Sequence, residues 1–375
     1  MNKKLIIAVI SLSLLSPVAI AQASTTNKPV LAILDTGIDT SLPQFKDKIV
    51  EEVCILQWAL CPNGTTFQVG AGAASMPSDL IVKGGFDHGT QMTDIAIKNN
   101  PNMNIVFIKI IANTSTGLRK PTGETTISAA LFWVMENAEK YNIKAVSLSQ
   151  GSSGLLGAAG TQYCPTFPRT VTAVKTLLEK DIPVFSASGN ARDYSRIDWP
   201  SCVEDVVSVG AVDQINEIAS YSNTDKNLLD FFALGAMQAS GPGNIQKNVA
   251  GTSAATQVAA AQYLQAVEKF GYSGQRLIDK LKSISITVKG RQGSFQNLLS
   301  ISNVPSQIQL PAPVQSPVVN KAAADKAAAD LKKAELQAQA NKEIALAEAQ
   351  YAAELKIAQD KLQAIKNLWA VKLNG

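Results

Sequence analysis

Five continuous apolar runs punctuate the chain, over residues 30–34, 105–108, 145–148, 183–187 and 206–209. Runs of this length and composition fit strands buried on both faces of a parallel sheet. The segments between them repeat with helical spacing instead. Residues 126–139 bring Ile127, Leu131, Val134 and Ala138 to one side, and residues 171–180 do the same with Val171, Val174 and Leu178. Strands alternating with helices predict an α/β fold built on a mostly parallel sheet. In such sheets ligands bind beyond the carboxyl ends of the strands. Asp35, Ser149 and the turn Ser188-Gly189-Asn190 each follow directly on a strand run, so the pattern sets all of them at one edge.

The two ends of the chain have different patterns. Lys3 and Lys4 precede an almost wholly apolar stretch over residues 5–20, and Ala21-Gln22-Ala23 supplies the small-x-small sequence read by signal peptidase. The apolar stretch is short for a membrane span. Residues 1–23 are therefore expected to be a signal peptide, with export to the periplasm or exterior of a bacterium and a mature chain from about Ser24. No cysteine follows the stretch, which argues against lipid attachment there. Pro305, Pro311, Pro313 and Pro317 mark residues 304–319 as an extended linker. Residues 320–375 are dominated by Ala, Lys, Glu, Gln and Leu, all strong helix formers. Tyr351, Leu355, Ala358, Leu362, Ile365 and Trp369 alternate spacings of four and three, as a coiled-coil seam does. This tail is expected to be a long helix, serving as a solvated stalk or in self-association or surface contact. Residues 24–303 remain as one globular domain.

Composition narrows the class. A hydrophobic content of 46% fits a globular enzyme, and a net charge of +4 on 375 residues gives no reason to expect nucleic acid as a partner. Four cysteines in an exported chain suggest disulfides. Cys54 and Cys61 lie close together, and Cys164 and Cys202 flank a helix and a strand, so these pairings are favoured among the three possible connectivities. Without a Cys-x-x-Cys pair, and with one remote histidine, a zinc site is not expected. No metal or cofactor is assigned.

That histidine is the centre of the chemistry. His88 is the only one in the chain, and a neutral imidazole is the usual general base at physiological pH. Asp35-Thr36-Gly37 follows the first strand run. His88-Gly89-Thr90 opens a predicted helix through Ile97, and Gly251-Thr252-Ser253-Ala254-Ala255 opens another through about Glu268. The chain order Asp, His, Ser is one of the known orders of the serine triad.

With these segments the sequence resembles the subtilisin-like serine peptidases, the subtilase family, from about Lys28 to about Phe270. Further stretches carry the likeness. Ser186-Ala187-Ser188-Gly189-Asn190 is similar to the family's oxyanion-hole turn, with Trp199-Pro200-Ser201 just after it. Tyr221-Ser222-Asn223, after Gly210-Ala211-Val212-Asp213, is similar to the stretch that leads toward the serine. Ala145-Val146-Ser147-Leu148-Ser149 is similar to the strand lining the substrate cleft. The resemblance implies a three-layer subtilisin-like fold and an endopeptidase acting on proteins or peptides through an acyl-enzyme. Ser253 would be the nucleophile, His88 its base and then the acid for the leaving amine, and Asp35 the group that orients the imidazole. Asn190 would donate its side-chain amide to the oxyanion beside the Ser253 backbone N–H. Ser147, Leu148 and Ser149 would offer main-chain hydrogen bonds to an extended substrate, with Gln150 and Gly151 at the end of that edge. Ala187 and Gly189 would border the first specificity pocket, and their small size suggests room for a sizeable apolar side chain.

The sequence also departs from the family. Relatives usually carry a folded inhibitory pro-domain ahead of the catalytic domain. Here Asp35 comes about a dozen residues after the expected cleavage, which leaves no room for one. Gln257 stands where the motif after the serine has proline, which should alter local rigidity more than chemistry. Gln44 stands where many relatives have a calcium-binding aspartate, which weakens any hard-cation site. Ala233-Leu234-Gly235 replaces Ala-Pro-Gly, and Gln91 replaces a second histidine. One competing reading is a catalytically weak binding module on a helical stalk, which would need no inhibitor. An aspartic peptidase built on Asp35-Thr36-Gly37 fails, because the chain has no second such triplet.

Overall fold

The structure is a computed structural model that describes residues 28–299 apart from 58, 77, 84, 113–121, 152–163 and 291–292. The expected signal peptide, linker and C-terminal helix lie outside the described residues. In chain order the first strands are β1 (Val30–Asp35), β2 (Ile49–Ile55) and β3 (Phe67–Val69). Helices α1 (Ser78–Lys83) and α2 (Asp87–Asn99) follow, then β4 (Asn104–Lys109), α3 (Glu124–Tyr141), β5 (Ile143–Leu148) and α4 (Pro168–Glu179). Next come β6 (Val184–Ala187), β7 (Val206–Val212), β8 (Phe231–Leu234), β9 (Ala236–Ser240) and β10 (Gln246–Ala250). Helices α5 (Thr252–Phe270) and α6 (Gln275–Ile284) and strands β11 (Ile286–Gly290) and β12 (Gly293–Leu298) complete the described fold.

Ten strands form one sheet in the order β11-β12-β8-β7-β6-β5-β1-β4-β2-β3, and β9 and β10 make a separate antiparallel pair. From β8 through to β2 the ladders are parallel. The five apolar runs are the core of this parallel block: β1, β4, β5, β6 and β7. Strand β1 sits inside it, its residues alternating between two cores. Leu31 and Ile33 belong to the core that also holds residues of α2, α5 and α6, while Val30, Ala32 and Leu34 belong to the core that holds residues of α3 and α4. Each of the valine, leucine and isoleucine side chains among them, once buried, contributes about 1.5–3 kcal/mol. The result is helix, sheet and helix in three layers, as the alternation predicts.

Helix α5 crosses the sheet closely because its inner face is small. Ala254, Ala255, Ala259, Ala260 and Ala261 are fully buried. Observed helices outrun the predicted spans by a few residues at most. Helix α3, for example, continues until Asn142 adopts the left-handed conformation that closes it. Both favoured disulfides are present, Cys54–Cys61 and Cys164–Cys202.

The order of strand addition reverses around β1: β4 and β2 lie on one side of it, β5, β6 and β7 on the other. The carboxyl end of β1 is therefore a switch point, where the crevice of a parallel sheet opens.

Candidate active site

Asp35 is the last residue of β1 and is fully buried. Its Oδ1 accepts the backbone N–H of Thr36 at 2.7 Å. The Thr36 hydroxyl then ties this strand end to the start of α2. It donates to Phe86 O at 3.2 Å and accepts the Gly89 N–H at 3.0 Å. Gly89 permits the close approach, since a Cβ there would lie 2.5 Å from Gly37 O. This clamp brings His88, in the first turn of α2, against the carboxylate. Its Nδ1 stands 2.8 and 2.9 Å from the two Asp35 oxygens. With Nδ1 engaged by the carboxylate, Nε2 is the ring nitrogen left over, and His88 lines the cleft.

Gln150, just beyond β5, joins the pair. Its Nε2 is 3.3 Å from Asp35 Oδ1 and 3.3 Å from His88 Nδ1. Its role beside the pair was not foreseen: a glutamine after a strand has no distinguishing pattern. Lys109, the register partner of Asp35 on β4, was also missed. It is buried, and its Nζ donates to Ile111 O at 2.8 Å and to Thr36 O at 3.4 Å. Burial pushes its ammonium down to about 7, with the Asp35 carboxylate pulling the other way.

Ser253 is the second residue of α5, where backbone N–H groups have no carbonyl of their own helix to bond. Its hydroxyl rests 3.4 Å from Ser149 O. Asn190 follows β6 and lies exposed beside it. Its Oδ1 accepts both the N–H of Thr252 at 2.9 Å and the Thr252 hydroxyl at 3.1 Å. With the carbonyl end so occupied, the Nδ2 end is the one free to turn toward the cleft. His88, Ser253 and Asn190 line one cleft of about 490 Å³, with Ser149, Gln150, Gly151, Ala187, Gly189 and Asp198. The arrangement has the parts that acyl transfer by a serine uses: a hydroxyl, an oriented imidazole, and amide donors at a helix N-terminus.

Two of the expected substrate contacts, Ser147 and Leu148, are the last residues of β5. Ser147 and Leu148 are buried inside the sheet, paired with β1 on one side and β6 on the other. Ser149, Gln150 and Gly151 follow β5 and form an edge that lines the cleft. Gln257, in the proline position, is fully buried and donates to Ser149 Oγ at 3.1 Å, tying α5 to that edge. Gln44 donates to Asp94 Oδ1 and Asn244 Oδ1, each at 3.2 Å.

Asp198 also went unforeseen as a lining residue. It precedes the quoted Trp199-Pro200-Ser201 stretch, and only the chain's return past Gly189 brings it to the cleft. Burial pushes its carboxyl up to about 6, opposed by a hydrogen bond from Asn223 Nδ2 at 3.1 Å and reinforced by the negative charge of Asp193.

The sequence pattern of the Subtilase family matches residues 26–291. Alkaline elastase YaB from Bacillus sp. (strain YaB) is 26% identical over 251 residues, covering 64% of this chain and 54% of that protein. Subtilisin E from Bacillus subtilis (strain 168) is 25% identical over 287 residues, covering 72% of this chain and 63% of the relative. The chain thus spans a little over half to just under two thirds of the length of these relatives. Among solved structures, a cold adapted subtilisin-like serine proteinase superposes with a TM-score of 0.54 at 18% identity, covering 72% of this chain and 88% of the other. A protease from Pseudoalteromonas arctica does so with a TM-score of 0.57 at 19% identity, covering 73% and 88%. These two likenesses concern the fold.

Proposed function

The chain belongs to the subtilase family, and from that premise we propose that it is an exported serine endopeptidase whose triad is Asp35, His88 and Ser253. The observation that carries the reading is the Asp35–His88 pair at 2.8 Å, set on the cleft that Ser253 and Asn190 also line.

A peptide adds along Ser149-Gln150-Gly151 and brings its carbonyl to the N-terminus of α5. The Ser253 hydroxyl leaves Ser149 O and turns to His88 Nε2, which takes its proton as the oxygen attacks. Asp35 holds the tautomer and stabilises the imidazolium, with Gln150 donating to the same carboxylate. Asn190 Nδ2 and the Ser253 N–H stabilise the oxyanion. His88 then protonates the leaving amine, and water activated by the same imidazole releases the acyl-enzyme.

Export by the segment 1–23, a peptidase domain over 24–303, and a linker and helix after it complete the proposal. Hydrolysis of a quenched fluorescent peptide library by the purified mature chain tests it. Turnover is expected from wild type, with a loss of at least about a thousandfold in Ser253→Ala and in His88→Ala. Equal turnover by either variant would assign the activity elsewhere.

A further inference from the structure

Asp198 is the one carboxylate among the described residues that line the cleft. It gets there because the segment Asp198-Trp199 runs directly behind two glycines. A Cβ on Gly189 would lie 2.3 Å from Asp198 Oδ2, and one on Gly151 would lie 2.3 Å from Trp199 O. Gly189 also has φ +106°, which side-chain-bearing residues rarely adopt. The Asp198 N–H donates to Ser188 O at 2.8 Å, and Asp198 O accepts the Cys202 N–H at 3.2 Å, so the backbone around the carboxyl is held at both ends.

These contacts define a recess with Gly151 on one wall, Ala187 and Gly189 on the other, and a carboxyl group closing it. The recess adjoins Asn190. On the reading above, the scissile carbonyl points at Asn190 and the Ser253 N–H, so the side chain of that same substrate residue projects into the recess. Small walls alone would admit an apolar group, which is the expectation from Ala187 and Gly189. The carboxyl changes the chemistry. Oδ1 accepts one hydrogen bond, from Asn223, and Oδ2 accepts none among the described residues. The nearby guanidinium of Arg196 is committed to Asp193 at 2.6 Å. A partly buried carboxylate without a counter-cation is unfavourable, and an apolar side chain packed over it would worsen its desolvation. A substrate ammonium or guanidinium would supply both the charge and the donors.

We propose, resting on the peptidase reading of this cleft, that Asp198 is a specificity residue selecting lysine or arginine on the carbonyl side of the cut bond. The carboxyl's raised pKa agrees with an anion awaiting its counter-charge.

The test compares peptide substrates identical except for Arg, Lys, Leu or Glu at that residue, using the purified mature chain at pH 8. Labelling of Ser253 by a fluorophosphonate serves as an independent check of a competent site. Expected are kcat/KM values at least about tenfold higher for Arg and Lys than for Leu, with Glu poorest. Asp198→Asn and Asp198→Ser, each verified by labelling, should lower the Arg-to-Leu ratio at least about tenfold. Benzamidine, a small planar cation, probes the recess without any variant and should inhibit wild type competitively. A labelled wild type that prefers Leu, or a ratio unmoved by both variants, overturns the specificity while leaving the peptidase reading intact. A folded wild type that takes no label and cleaves none of the four overturns the peptidase reading, and the specificity with it.

Discussion

Lys109 is the register partner of Asp35 across the β1–β4 ladder, with its side chain buried at the carboxyl end of the sheet. The group lies 4.3 Å from the centre of the Phe86 ring and donates to two carbonyls that shape the turn after Asp35 and the strand end after β4. Burial deprives this ammonium of water and pushes its pKa down.

That desolvation makes stability depend on pH. Lys109 titrates at about 7 when folded and near the ordinary 10.5 when unfolded. Between those values the unfolded chain binds more protons, so stability attributable to this group rises with pH across about 7 to 10.5. Lys109→Met should abolish this rise. Urea midpoints at pH 7 and pH 10 check it: wild type should gain on the variant at the higher pH. Parallel behaviour would place the titration elsewhere.

Asn190 is held by its carbonyl end, which leaves its amide for charge that develops during reaction. Asn190→Ala should therefore lower kcat with little change in KM. The expected loss is roughly 100- to 1,000-fold, the range known for an oxyanion-hole asparagine in subtilisin. A loss confined to KM would show that the side chain binds substrate without stabilising the transition state.

The legible part of the fold was its centre. Strands β1, β4, β5, β6 and β7 are covered on both faces and so read as unbroken apolar runs. Strand β2 did not, because Ile49–Ile55 carries Glu51 and Glu52. Glu52 is nonetheless buried, its carboxylate taken by the N–H groups of Gly72 and Ala74 and the hydroxyl of Ser75. Strand β10 reads Gln-Lys-Asn-Val-Ala and shows no apolar run at all. At the site, Asp35, His88, Ser253 and Asn190 were legible because short motifs set them beside glycine turns and helix starts. The sequence does not show where pairing ends along β5, and Ser147 and Leu148 prove to lie inside it, in register with β1 and β6. Asp198 and Lys109 depend on contacts between strands and loops distant in sequence.

The two disulfides should differ in weight. Cys164–Cys202 closes a separation of 38 residues and Cys54–Cys61 one of 7. Constraint of the unfolded chain grows with loop length, so removing the longer bridge as a double alanine variant should cost about 3–4 kcal/mol, and the shorter about 2. Guanidinium unfolding of the two variants checks the order. The longer bridge also steadies the segment that carries Asp198, so its loss should broaden substrate preference as well.

Selectivity for basic residues should itself titrate. The carboxyl of Asp198 is neutral below about 6 and charged above it. The ionisable groups around it are Asp193, paired with Arg196, and His88 on the same cleft. His88 affects every substrate alike, so it cancels in a ratio. The ratio of kcat/KM for Arg over Leu peptides should rise about tenfold from pH 5 to pH 7.5, since kcat/KM reports the free enzyme. A flat ratio would contradict a charge-based preference.

Labelling by a fluorophosphonate tests the central claim most directly, because the reagent reports a serine already activated by its base. Mass spectrometry of the labelled wild-type chain should find one adduct, on Ser253. Labelling should vanish in Ser253→Ala and fall at least about a thousandfold in rate in His88→Ala, where no other histidine can take over. A folded wild type that takes no label, or an adduct on any other residue, would contradict the assignment of Asp35, His88 and Ser253.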